Sequence, residues 1–292
     1  GAEIKILKHI FTPEEAEIVS FLNYKPEPLK TIFRKVRHLV ESPDKLDDIL
    51  DLIQKKGGIE STIKNGSKHY CCAPLVVGMY ELQLDRLTPE FIKDFNEYTS
   101  DKKFGIEFLS TELPQMRTIP VSKSIHPQHN VSTFDEVTTL LQQAEDPFVI
   151  IECICRKKKS IEGKSCEVTD RKETCLAIGS IARTVLQSGT GREITRDEAL
   201  TIIEQNQKQG LVLQPSNTEK AEFICSCCGC CCGVLNYIKH QPVPAEAVSS
   251  AFIARYDPEL CQGCETCLDR CQMEALCADG DRVAFLPPVS GG

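Results

Sequence analysis

The sequence predicts an α+β protein of several domains, and three observations carry that prediction. Capped, amphipathic helical segments followed by a hairpin signal fill the first hundred residues. Short apolar runs of strand length alternate with capped helical segments beyond residue 133. Of the 17 cysteines, 15 lie between Cys153 and Cys277, so the second half is organised around thiols. A length of 292 residues, 41% hydrophobic and 26% charged, fits two or three globular domains.

In the first domain, residues 1–100, Thr12-Pro13-Glu14-Glu15 is a capping box with proline at the first helical position. It opens a helix to about Leu22. Leu29, Ile32, Phe33, Val36 and Val40 recur at helical spacing and predict a second helix. Ser42-Pro43 opens a third, with Leu46, Ile49, Leu50 and Ile53 as its buried stripe. "GIESTI" and "KHYCC" read as two strands around Asn65-Gly66, a pair that tolerates the positive φ a two-residue hairpin loop needs. Strand alternation sends Cys71 and Cys72 to opposite faces, at least one of them as a small buried hydrophobe. Thr88-Pro89 caps a further helix through about Tyr98. Three helices followed by a hairpin are the order of a winged helix, so a mainly helical, winged-helix-like domain is expected here. The third helix, which would enter a DNA groove, carries Asp44, Asp47, Asp48 and Asp51, and the domain holds 14 basic against 16 acidic side chains. That balance repels phosphate, so the domain is expected to dock or pack rather than to bind nucleic acid.

Residues 101–132 are expected to form an irregular linker or wrapping segment. In the cysteine-rich domain, 133–248, a short helix at 133–145 precedes "PFVIIECICR", a buried strand running into the first cysteines. Residues 174–188 read as a helix ending at Gly189. Thr195 to Glu198 is a capping box opening a helix that Gly210 stops. No run of about 18 apolar residues exists, so no membrane span is expected. "GAEIKILKHI" lacks the pattern of a secretory signal, and a cytoplasmic location is expected. An odd number of cysteines, several directly adjacent, suits disulfide geometry poorly and suits metal binding in a reducing compartment.

The most specific motif is "CQGCETCLDRC" in the last segment, 249–292. Cys261, Cys264, Cys267 and Cys271 follow the Cys-x2-Cys-x2-Cys-x3-Cys spacing of bacterial [4Fe-4S] ferredoxins, which predicts a ferredoxin-like C-terminal half. Three thiolates two residues apart reach three irons of one cube, whereas zinc sites draw two thiols from one knuckle and two from elsewhere. Cys271 is expected to serve a different cube, and Gln272 stands where proline is usual. "LPPVSGG" is reached where a second ferredoxin half would begin, so the remaining ligands are expected from further chain or from upstream.

Upstream, Cys153, Cys155, Cys166 and Cys175 are expected to close one site, with the thiolate of Cys175 favoured near a helix N-terminus. Arg156-Lys157-Lys158-Lys159 follows directly, either as a solvated face or as counter-charge to an anionic cluster. In "CSCCGCCCG", positions 225–233, Cys225, Cys228 and Cys231 repeat the Cys-x2-Cys-x2-Cys spacing, with Cys227, Cys230 and Cys232 as additional candidates. Zinc or plain structural cysteines stay open as alternatives for both upstream groups.

The stretches "FTPEEAE", "VVGMYELQLDRL", "ETCLAIG", "LVLQPSN", "ICSCCGCCCGVL" and "YDPELCQGCETCLDRCQMEAL" resemble a prokaryotic family of 4Fe-4S dicluster or ferredoxin-domain proteins. The resemblance covers nearly the whole chain. It implies that Cys225, Cys227, Cys228, Cys231 and Cys232 are ligands, and it sets Cys230 aside. It also implies iron–sulfur binding and electron transfer, and it supplies no substrate. With cysteines enough for three cubes, the leading expectation is two to three [4Fe-4S] clusters in an electron-transfer protein or a subunit of a larger oxidoreductase complex. Such a chain works with a redox partner protein, and its net charge of −8 suits a basic docking face. Two other readings stand beside it: an enzyme with an open iron acting as Lewis acid, and a redox sensor whose winged helix binds DNA.

Overall fold

The computed structural model describes residues 1–109, 114–120, 136–218, 220–241, 244–247 and 265–274, with the single positions 250, 259 and 262. Helices and two antiparallel sheets make an α+β chain. It divides into two compact units, Gly1–Phe104 with Ser180–Arg192 and Gly105–Gly179 with Glu193–Gly292.

The first unit starts with α1 (Ala2–Ile10), a helix that sequence reasoning leaves unassigned because no side chain caps it. In α2 (Pro13–Val19) the capping box is complete: Thr12 Oγ1 accepts the Glu15 N–H at 3.2 Å and the Glu15 carboxylate accepts the Thr12 N–H at 2.9 Å. The chain continues through β1 (Glu27–Pro28), α3 (Leu29–Val36), α4 (Pro43–Lys55), β2 (Ile59–Lys64) and β3 (Ser67–Cys72), with the strands in the order β1-β3-β2. Asn65 and Gly66, at φ 51° and 75°, make the hairpin turn. Ile32, Val36, Leu46, Leu50 and Ile53 are buried between helices and sheet.

The acidic face of α4 is partly occupied by the hairpin. Tyr70 Oη donates to Asp47 at 2.6 Å and Asp51 at 2.7 Å, and Lys68 Nζ pairs with the same two carboxylates. Cys71 is buried and its thiol is pushed up to about 12 by desolvation, while Cys72 points its sulfur at the carbonyls of Val19 and Leu22. Next comes α5 (Pro89–Thr99), followed by α6 (Lys102–Leu109), which makes the start of the expected linker helical.

The second unit carries α7 (Val137–Gln143), β4 (Phe148–Glu152), α8 (Ile154–Ile161) and β5 (Glu173–Ile178); α9 (Gly179–Ser188) belongs from Ser180 on to the first unit, and β6 (Gly191–Ile194) runs across the division at Glu193. After these come α10 (Arg196–Lys208), β7 (Val212–Pro215), β8 (Phe223–Cys227), α11 (Gly233–Lys239) and α12 (Thr266–Arg270). Sheet order is β6-β4-β5-β8-β7. The helix expected over 174–188 is therefore a strand and then a helix. "ETCLAI" is held between β4 and β8, and Gly179, at φ 58°, turns the chain into α9.

Register separates the two faces of this sheet, because directly opposed residues share a face and neighbours alternate. Phe148, Ile150, Leu176, Ile178, Leu213 and Ile224 occupy one face and pack on α7 and α10 through Leu140, Leu141, Ala199 and Ile203. Cys175, Cys225 and Cys227 occupy the other, in register with Ile151, Gln214 and Val212. Among the described residues, no helix is long and apolar enough to cross a membrane.

Candidate metal centre

Three local features deliver thiols to the cysteine face. The alternation of β8 sends Cys225 and Cys227 to it and Ser226 to the opposite side, where Ser226 Oγ accepts from Asn206 Nδ2 at 2.8 Å. The corner between β4 and α8 supplies Cys153, which stands at the N-cap, and Cys155 in the first turn. Cys232 is the N-cap of α11. Expected near a helix N-terminus, Cys175 instead lies within β5, and Cys153 and Cys232 take the capping positions.

Six of these thiols close a ring. Cys153 is hydrogen-bonded to Cys155 and Cys175, Cys155 to Cys232, Cys232 to Cys227, Cys227 to Cys225, and Cys225 to Cys175. All are free of disulfides, and Cys153, Cys227 and Cys232 are buried. Val212, Leu235, Ile238 and Met273 pack with Cys227 and Cys232, and Cys225 and Cys271 sit against that cluster. Bonds from Cys155 and Cys175 hold the Cys153 thiol well below its usual range, helped by the charge of Arg156. The same bonds to Cys153 hold Cys155 and Cys175 well above theirs, with burial adding to the effect.

The other four thiols form a tight quartet: Cys166 with Cys228, Cys230 and Cys231, every Sγ within 4.8 Å of the others. Sγ separations are 3.7 Å for Cys166–Cys228, 3.8 Å for Cys166–Cys230 and Cys228–Cys230, and 3.5 Å for Cys230–Cys231. Past the end of β8 the chain turns, with the Cys232 N–H on the Cys228 carbonyl at 3.0 Å, and the turn gathers three thiols in four residues. Burial alone would raise the Cys166 thiol, but the N–H groups of Thr169 and Val168 and the Arg156 guanidinium outweigh it and set the value at about 6. Burial pushes Cys228 up to about 12 and raises Cys231 as well.

This set could hold a metal ion. Four sulfurs around one tetrahedral ion, with metal–sulfur bonds of about 2.3 Å, stand about 3.8 Å apart. Thiolates on a four-iron cube each bind a different iron and stand farther apart, so the quartet fits a single ion more closely.

Arg156 lies between the two sets. It is only 7% exposed, donates to Thr174 Oγ1 and to the Ser226 carbonyl (3.0 Å), and points at Cys228 Sγ from 3.7 Å. Its charge also acts on Cys153 and Cys175. The rest of the basic run is half-buried and ion-paired: Lys157 pairs with Glu152, Lys158 with Glu162 and Lys159 with Glu167, and the Lys159 charge also acts on Cys230 and Cys231.

The structure thus regroups the predicted ligands. Cys166 is brought to the 228–231 turn, while Cys153, Cys155 and Cys175 join Cys225, Cys227 and Cys232. The Cys225, Cys228, Cys231 triplet is split, because Cys225 belongs to a strand and the other two to a turn. Cys230, which the sequence reading set aside, stands inside the quartet. One signal for this division was available: "FICSC" alternates with period two and reads as a strand, whereas "CGCCC" does not.

Of the C-terminal run, Cys261 and Cys264 lie outside the described residues. Cys267 is exposed on α12, and Cys271 sits against the buried cluster beside the ring. Several contacts dock this segment: Arg270 donates to the carbonyls of Gln207 and Lys208, Met273 is buried, the Gly229 N–H reaches Gln272 Oε1 at 3.0 Å, and Lys239 pairs with Glu274. Proline at 272 would lack that acceptor, which gives the glutamine a reason.

No family model matches the chain, and neither a curated protein nor a solved structure matches it.

Proposed function

We propose that this chain is an iron–sulfur electron-transfer protein, or the electron-transferring subunit of a larger oxidoreductase complex, of the 4Fe-4S dicluster type that its motifs resemble. One observation carries the reading: ten free thiols meet in two adjoining groups within one unit, and Cys271 of the ferredoxin-type run packs beside the larger group. Iron–sulfur clusters supply one-electron chemistry when bound. The chain's own residues prepare for them. The apolar cover of Leu235, Ile238 and Met273 keeps water from the ring, and Arg156 offsets thiolate charge where two groups would otherwise repel each other. Of the two to three clusters that the cysteine count supports, we favour two, one on the 261–271 run and one on the buried ring, since the quartet has single-ion spacing.

Within the first unit, the α2-β1-α3-α4-β2-β3 order and the β1-β3-β2 sheet support a winged-helix-like domain used for docking. The carboxylates on α4, two of them engaged by Lys68 and Tyr70, argue for a protein partner over nucleic acid. A cytoplasmic setting accords with so many free thiols.

The test is iron and acid-labile sulfide content of anaerobically purified protein, with EPR before and after dithionite reduction. Electron transfer predicts signals that appear on reduction and vanish on reoxidation. Fewer than about four irons per chain would overturn the reading.

A further inference from the structure

The quartet has what a closed one-ion site requires. Cys166, Cys228, Cys230 and Cys231 are all free, and every Sγ lies within 4.8 Å of the others. Among the described residues, no other group of cysteines, histidines and carboxylates comes together this closely. Separations of 3.5 to 3.8 Å match the edge of about 3.8 Å expected for four thiolates around one tetrahedral ion. Four protein sulfurs leave such an ion no open position, which is the mark of a structural site.

The surroundings are those of metal-bound thiolate. The Glu167 N–H points at Cys230 Sγ from 3.5 Å, and Arg156 Nη2 points at Cys228 Sγ from 3.7 Å. Four thiolates on a divalent ion carry two excess negative charges. The buried Arg156 guanidinium faces them, and the Lys159 ammonium, whose partner Glu167 is exposed, acts on Cys230 and Cys231. Tetrahedral thiolate sites select zinc or an iron–sulfur cluster, the spacing does not suit the larger cube, and zinc binds such ligands more tightly than ferrous iron.

Placement gives the ion a task. Cys166 lies in the 162–172 loop, which contains no helix or strand, and meets Cys228 across 62 positions. An ion that closes so long a loop turns its binding energy into folding energy. The turn at 228–231 is tied onward, because the Gly229 N–H donates to Gln272 Oε1 and the Gly229 carbonyl accepts from Asn236 Nδ2, each at 3.0 Å.

We propose that Cys166, Cys228, Cys230 and Cys231 form a structural site for one zinc ion, which staples the 162–172 loop to the turn that receives the 265–274 segment. Zinc has no redox chemistry, so the site stands apart from electron transfer.

The experiment measures zinc, iron and acid-labile sulfide in the full chain, purified anaerobically from zinc-supplemented cells, together with zinc X-ray absorption. The wild type is expected to hold one zinc ion bound by four sulfurs at about 2.3 Å, with no iron neighbour. Zinc well below one ion per chain, or zinc with nitrogen or oxygen ligands, overturns the proposal without any substitution. Cys166→Ser and Cys230→Ser are each expected to lose this ion and to keep their iron and sulfide. Zinc retained in both variants overturns the site, as does joint loss of zinc, iron and sulfide from a variant with an unchanged circular dichroism spectrum. Trypsin is expected to cut the zinc-free variants at the exposed Lys164 about tenfold faster than the wild type, and equal rates overturn the staple. Zinc and iron are counted separately, so a chain that holds its zinc but too little iron sinks the electron-transfer reading alone, and the reverse result sinks this one.

Discussion

The ring and the quartet are built from the same residue type, within one unit, partly from one nine-residue stretch, and they differ in almost every physical respect. Ring thiols come from strands and helix caps, lie under an apolar cover, and bond mainly to one another. Quartet thiols come from a loop and a turn, and only Cys228 is buried. In the quartet, backbone N–H groups on Cys166 add to the charge of Arg156 in stabilising thiolate. The ring has its own thiols and the charge of Arg156 for that purpose. Chemistry at a cysteine is therefore set by which backbone element carries it, and adjacent residues such as Cys227 and Cys228 fall on opposite sides of the division.

Thiol reactivity is where the two groups should differ most. In the metal-free chain at pH 7, Cys166 is expected to react with iodoacetamide roughly a hundredfold or more faster than Cys228, since a thiol near 6 is largely thiolate there and one near 12 is not. The rate at Cys166 should fall as the pH drops through about 6. Peptide mapping checks this, and equal labelling of the two residues would erase the contrast.

Arg156 is the side chain the groups share. Arg156→Met strands the Ser226 carbonyl and removes the charge facing both sets, so the chain is expected to lose about 3 kcal/mol in denaturant unfolding. Arg156→Lys keeps the charge but not the fork and should fall between the two. If the Met variant is as stable as the wild type, the guanidinium does not couple the groups.

Gly229 sharpens the comparison from the quartet side. A Cβ there would stand 1.9 Å from the Gln272 carbonyl oxygen. Gly229→Ala is therefore expected to cost about 2 kcal/mol and to lift the 265–274 segment, with faster proteolysis at Arg270 as the readout. Unchanged proteolysis would mean that the segment is not held by this contact.

Much of the first unit was legible because its signals are local. The capping box at Thr12, Ser42-Pro43 and Asn65-Gly66 each specify backbone geometry within a few residues. Where such a signal is missing, reading failed: α1 has no side-chain cap. In "ETCLAIG" the short apolar run is compatible with strand or helix until Gly179 divides it. The concentration of thiols was legible in the same way, since the cysteines can be read off directly. Their grouping was not. Cys166 meets Cys230 across 64 positions, and Cys175 meets Cys225 across 50.

By itself, then, the sequence determined the element types of the capped helices and the hairpin, and the concentration of thiols in one half. Tertiary structure alone decided how ten cysteines divide into six and four. The physical reason is the pleat of the sheet. Alternation commits each thiol to one face, but only strand pairing and register bring β5 beside β8 and carry Cys153, Cys155 and Cys232 to the face they share.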